Sequence, residues 1–98
     1  MSVTLINLFS VPKGTEGRFL KWLQDEKGTM SNQQGFMSGK LEKSVKPDSK
    51  FNFINIVVWE SAAALSKAVE KSGAAMQANL EQMGVDAALD LYQVVSEY

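Results

Sequence analysis

Ninety-eight residues, 45% hydrophobic and 21% charged, fit one globular domain spanning residues 1–98 and exclude a disordered tail or a fibre. Ten basic and eleven acidic residues leave a net charge of −1 with no basic run, which argues against nucleic acid or an anionic membrane as partner. The chain has no cysteine and no histidine, which removes disulfides, thiol nucleophiles, Ser-His-Asp catalysis and the usual zinc and haem ligands.

The N-terminal stretch MSVTLINLFSVPKG lacks the pattern of a signal peptide, and no apolar run reaches the length of a membrane span. A cytoplasmic protein is the expectation. A chain this size buries only roughly 60–65% of the surface its unfolded form exposes. Any leftover apolar face is therefore worth covering with a second subunit.

Val3 to Val11 reads as a strand, rich in β-branched and aromatic residues and stopped by Pro12-Lys13-Gly14. Both its faces are mostly apolar, which predicts cover on both sides. A helix follows, with Thr15 as its N-cap. Phe19, Trp22, Leu23, Glu26 and Met30 recur at three- and four-residue steps and form one stripe. The polar stretch Ser31 to Gly35 suits the helix exit.

Phe36 to Val45 reads as a second strand, with Gly39 marking a bulge or a close approach. Lys46-Pro47-Asp48-Ser49 reads as a turn in which Asp48 bonds the backbone. Phe51 to Trp59 is the strongest strand pattern, again apolar on both faces, and makes a hairpin with its predecessor. Ser61 caps a second helix, predicted to break at Ser72-Gly73, with a further piece ended by Gly84. Leu89 to Tyr98 closes the chain as a fourth strand.

This order predicts an α+β, ferredoxin-like βαββαβ protomer: an antiparallel sheet with helices on one face. The apolar second face predicts two sheets packed face to face in a homodimer.

The segments LINLFSVPKGT, GFMSGKLEKS and FNFINIVVWES, with helices between and after them, resemble the antibiotic biosynthesis monooxygenase domain over nearly the whole chain. The resemblance implies a homodimer whose two sheets form a shared α+β barrel. It also implies a choice among activities: cofactor-free oxidation of polycyclic phenols, quinol oxidation or haem degradation. For haem degradation the family pattern is a strand asparagine with a tryptophan and a histidine in the second helical region. Asn7 matches the first, but no tryptophan lies between Ala62 and Met83 and no histidine exists. The phenol oxygenases use an asparagine and a tryptophan on the third strand, and Asn55 and Trp59 resemble that pair. Four residues apart, they share a strand face at a separation of about 13 Å.

The implied function is a monooxygenase acting with dioxygen on a small electron-rich aromatic such as a phenol, anthrone or hydroquinone, with no metal and no cofactor. Asn55 and Trp59 are the catalytic candidates. Asn7, Tyr92, Trp22 and Phe53 are candidates for substrate binding. Each has a plainer reading: a structural amide for Asn7 and Asn55, packing for Trp22, Phe53 and Trp59, and edge packing for Tyr92. Asp25 and Glu26 read as solvated, and no general base is identified. The alternative from another class is a non-catalytic dimeric binding module for an apolar small molecule.

Overall fold

A computed structural model describes residues 1–98. Six elements follow in the order β1 (Val3–Ser10), α1 (Glu16–Ser31), β2 (Phe36–Lys43), β3 (Phe53–Trp59), α2 (Ala62–Gln82) and β4 (Asp86–Tyr92). The strands form one antiparallel sheet in the order β2-β3-β1-β4. The architecture is α+β and ferredoxin-like. No helix is long and apolar enough to cross a membrane.

Strand alternation decides which side chains meet the helices. In β1, Val3, Leu5, Asn7 and Phe9 are buried, while Thr4, Ile6, Leu8 and Ser10 are half-buried on the opposite face. Ile54, Ile56 and Val58 of β3 share that second face, which no helix covers. An apolar stripe therefore runs down the uncovered side of the central strands.

The helix-side core falls into two clusters. One gathers Phe9, Phe19, Leu23, Phe53 and Met83 with their neighbours. The other gathers Leu5, Val57, Trp59, Leu65 and Ala68. Between them lies a row of the sheet in which Asn55 of β3 is paired with Asn7 of β1.

Several expected boundaries move, each for a local reason. The second helix is continuous through Ser72 and Gly73. The Ser72 hydroxyl donates back to the Ala68 carbonyl at 3.0 Å, and the alanine-rich flanks outweigh one glycine costing about 1 kcal/mol. The helix ends in a Schellman motif at Gly84, where Gly84 N–H donates to the Glu81 carbonyl and Val85 N–H to the Leu80 carbonyl. That delivers the chain straight into β4, three residues earlier than Leu89. The fourth strand does not run on to Tyr98, because Tyr92 pairs with Thr4 and β1 has almost no chain left to pair beyond it.

Asn52 also leaves the strand pattern. Its amide oxygen accepts from Val11 N–H at 2.8 Å and its amide nitrogen donates to the Val11 carbonyl at 3.0 Å. β3 consequently begins at Phe53 rather than Phe51, and β2 ends at Lys43 rather than Val45. The connection is longer than a four-residue turn and is organised by the Ser44 hydroxyl, which accepts from Lys46 N–H, rather than by Asp48. Ser61 caps α2 by accepting from Ala64 N–H at 3.1 Å. Thr15 stands at the N-cap of α1, but its side chain makes no capping bond.

Candidate functional site

The row between the two core clusters opens into a cavity of about 740 Å³. That lies within the range of roughly 300–1,000 Å³ typical of small-molecule sites. Its floor is the helix-facing side of β2 and β3: Phe36, Gly39, Leu41, Asn55 and Val57. Its roof is α1 from Leu20 to Ser31.

The sequence builds this space by withholding bulk at two points, Gly39 and Gly28, and by placing a polar side chain at a third, Glu26. Gly39 pairs with Val57 and so faces the helix without a side chain. Gly28 leaves a gap in the roof. Glu26 occupies a stripe position of α1 that elsewhere carries Phe19, Leu23 and Met30; seven residues past Phe19, it sits about 20° from it around the helix axis. The expected bulge of β2 falls between Phe36 and Ser38, one step before Gly39.

Asn55 is the polar group of the floor. Its helix-facing strand mates Phe53, Val57 and Trp59 are buried, but Asn55 is only half-buried because the cavity reaches it. Asn7 stands directly across the strand pair and is 9% exposed. Paired side chains share a face with Cβ atoms about 4.5–5.5 Å apart. Neither amide appears in any hydrogen bond of the protomer, whereas Asn52 uses both of its amide atoms on Val11. An amide left without partners in a dry core costs about 1–3 kcal/mol. Asn55 avoids that cost only by facing the cavity.

The other expected site residues are not brought to the cavity lining. Trp59 is fully buried in the second cluster, edge-on to Phe36 with ring centroids 5.8 Å apart. It stands behind Phe36, which does line the cavity. Phe53, 1% exposed, belongs to the first cluster. Trp22 packs against that same cluster, 6.2 Å from Phe19 between ring centroids. The indole N–H groups of Trp22 and Trp59 are both buried without an acceptor. Tyr92 lies on the other face of the sheet: it pairs with Thr4, not with Leu5 or Asn7, and is 51% exposed.

Glu26 corrects the sequence reading in the opposite direction. A charged residue there predicts solvent, but it is half-buried and lines the cavity. Its place on the apolar stripe was the signal. The chain's one ion pair, Lys43 with Glu16 at 3.2 Å, lies elsewhere.

The lining does not fit a metal or a haem iron. No group of three or more potential ligands converges anywhere in the fold. The lining offers one carboxylate and no imidazole, thiolate or phenol.

No family model and no curated protein matches the sequence. Solved structures do match. A candidate monooxygenase from Shewanella loihica PV-4 is 27% identical, with a TM-score of 0.85 over 98% of this chain and 96% of that one. SnoaB, a cofactor-independent oxygenase from Streptomyces nogalater, is 23% identical, with a TM-score of 0.81 over 98% and 95%. A candidate antibiotic biosynthesis monooxygenase from Deinococcus radiodurans is 13% identical, with a TM-score of 0.80 over 100% and 96%. The chain has the fold of the antibiotic biosynthesis monooxygenases.

Proposed function

We propose that the chain is a cofactor-independent monooxygenase that acts with dioxygen on a small electron-rich aromatic, a phenol, anthrone or hydroquinone, as a homodimer in the cytoplasm. One observation carries this reading: the Asn55 amide, free of protein partners, on the floor of a cavity whose apolar walls include Leu20, Leu23, Phe36, Leu41 and Val57.

The chemistry asks little of the protein. Ground-state dioxygen is a triplet and reacts slowly with closed-shell molecules. A deprotonated phenol or anthrone overcomes this by giving up one electron at a time. A site need only favour the anion and keep water away from it. Asn55 suits the first task, because its amide N–H groups donate to a developing oxyanion. The apolar walls suit the second and accept a flat ring. Asn7, paired with Asn55, supplies a second amide behind the first. Trp59 contributes through Phe36, holding that ring against the ligand.

The test is oxygen uptake, followed with an electrode, over a panel of anthrones, hydroquinones and naphthols in chelator-treated buffer. Uptake above the spontaneous rate that falls about 10²–10³-fold in Asn55→Ala, the scale for losing one oxyanion donor, supports the reading. Tight ligand binding with no uptake on any substrate refutes it and leaves a binding module.

A further inference from the structure

We infer that Glu26 is the general base of this site, taking the proton that makes the aromatic substrate reactive. The inference rests on the oxygenase reading above and names the group that reading leaves open.

Three observations converge on Glu26. It lies within the sheet-facing stripe of α1, flanked by Leu23 and Met30, where an apolar residue would pack best. It lines the cavity opposite the Asn55 floor and is half-buried. It has no ion pair, so its carboxylate oxygens keep their lone pairs for a ligand. A carboxylate at that place, half-buried and without an ion pair, breaks the apolar pattern of the helix where it faces the cavity.

The other polar lining groups do not compete. Lys40 pairs with Ile56, so its side chain leaves on the far face of the sheet and only its backbone borders the cavity. Lys27 is exposed, and its ammonium donates rather than accepts. The Ser31 hydroxyl is engaged as donor to the Gly28 carbonyl at 3.2 Å. Gln24 has no proton-accepting chemistry at neutral pH.

With the ligand between roof and floor, a Glu26 Oε takes the proton of the phenol O–H or the anthrone C–H. The freed electron pair spreads over the ring and its oxygen, which Asn55 stabilises by donating a hydrogen bond. The anion passes one electron to dioxygen, and the resulting superoxide and carbon radical combine into a C–O bond. Glu26 returns the proton to the peroxide. Loss of water then breaks the O–O bond and leaves a new carbonyl. Dioxygen accepts four electrons, all from the substrate; one oxygen atom stays in the quinone and the other leaves as water.

The test compares the wild type with Glu26→Gln and Glu26→Ala on an anthrone or naphthol that is not ionised at the assay pH. Oxygen uptake and ligand affinity by tryptophan fluorescence are both read. The Gln variant is expected to turn over about 10²–10⁴-fold more slowly, the usual worth of a general base, with affinity within a few-fold of wild type. Added acetate is expected to accelerate the Ala variant, whereas chloride at equal ionic strength is not. Glu26→Asp, one methylene shorter but still a carboxylate, is the fallback should either variant fail to fold, and retains an intermediate rate. A Gln variant at the wild-type rate, or an Ala variant that acetate does not accelerate, overturns the assignment and leaves the oxygenase reading standing. Absence of uptake by the wild type on every substrate overturns both.

Discussion

A side chain at position 39 separates the cavity from the fold. Gly39 sits inside β2 and faces the helix layer, and its backbone is open to any L-residue because its φ is not positive. A Cβ there meets the Phe36 ring at 3.4 Å and a Val57 methyl at 3.7 Å, contacts the ring accommodates with a shift of a few tenths of an ångström. Gly39→Ala therefore fits with only that adjustment. Valine adds two methyl groups whose open direction is the cavity between Asn55 and Glu26. Glycine weakens a strand, and strand preferences span about 1 kcal/mol in favour of valine. For a domain near 100 residues that is worth about 4–8 °C in Tm. Gly39→Val is thus expected to hold or raise Tm by a few degrees while losing ligand binding and oxygen uptake, and Gly39→Ala to retain both activities. Differential scanning calorimetry, fluorescence titration and the oxygen electrode give the three readouts. A Gly39→Val protein that folds and still takes up oxygen at the wild-type rate refutes the placement of the site in this cavity.

Other expectations follow from named contacts. Asn52→Ala removes the double hydrogen bond to Val11 and strands both backbone groups, so it is expected to cost about 1–3 kcal/mol in urea denaturation; its effect on oxygen uptake is expected to be small, since Asn52 is outside the cavity lining. Gly35→Ala combines a backbone at φ 91° with overlap of the new Cβ against the Ala64 side chain; a loss above about 1 kcal/mol is expected on the strain of that conformation alone, visible as a lower Tm. Ile56→Lys places a charge in the centre of the uncovered apolar sheet face and is expected to convert the proposed homodimer to monomer in sedimentation equilibrium.

The fold was legible because strand period and helix period differ. β1 and β3 are rich in the β-branched and aromatic residues that favour strands, and α1 shows a stripe at helical spacing. Boundaries were less legible because they depend on pairing partners. Nothing local tells that β4 must stop at Tyr92; the length of β1 decides it. Nor does a Ser-Gly pair reveal that Ser72 bonds back to Ala68 and continues the helix. Of the candidate site, Asn55 and Asn7 were visible as polar residues on apolar strand faces, and register brings them together. Trp59 and Phe53 share their face, but alternation cannot say which members of a face are covered by a helix and which look into a gap. For Tyr92 only register decides the face: its pairing with Thr4 puts it on the side of the sheet away from the cavity. Glu26 carried contradictory signals, a charged side chain at an apolar position, and position prevailed.

That contradiction points to how the site is encoded. Locally consistent sequences are the rule, and breaks in local rules concentrate where function is served. Here one glycine inside a strand, one carboxylate on a core-facing helix stripe and two amides on helix-facing strand positions all break such rules. Scattered through the fold, they would be four independent liabilities. The pairing of Asn7 with Asn55, of Leu41 with Asn55 and of Gly39 with Val57, and the place of Glu26 between Leu23 and Met30, gather them into one region between the two core clusters. Large side chains at those places would let the clusters merge into one continuous core. The two walls can be perturbed separately: filling the floor at position 39 is expected to hold or raise stability, neutralising the roof at Glu26 is expected to leave the cavity open, and both are expected to stop the chemistry.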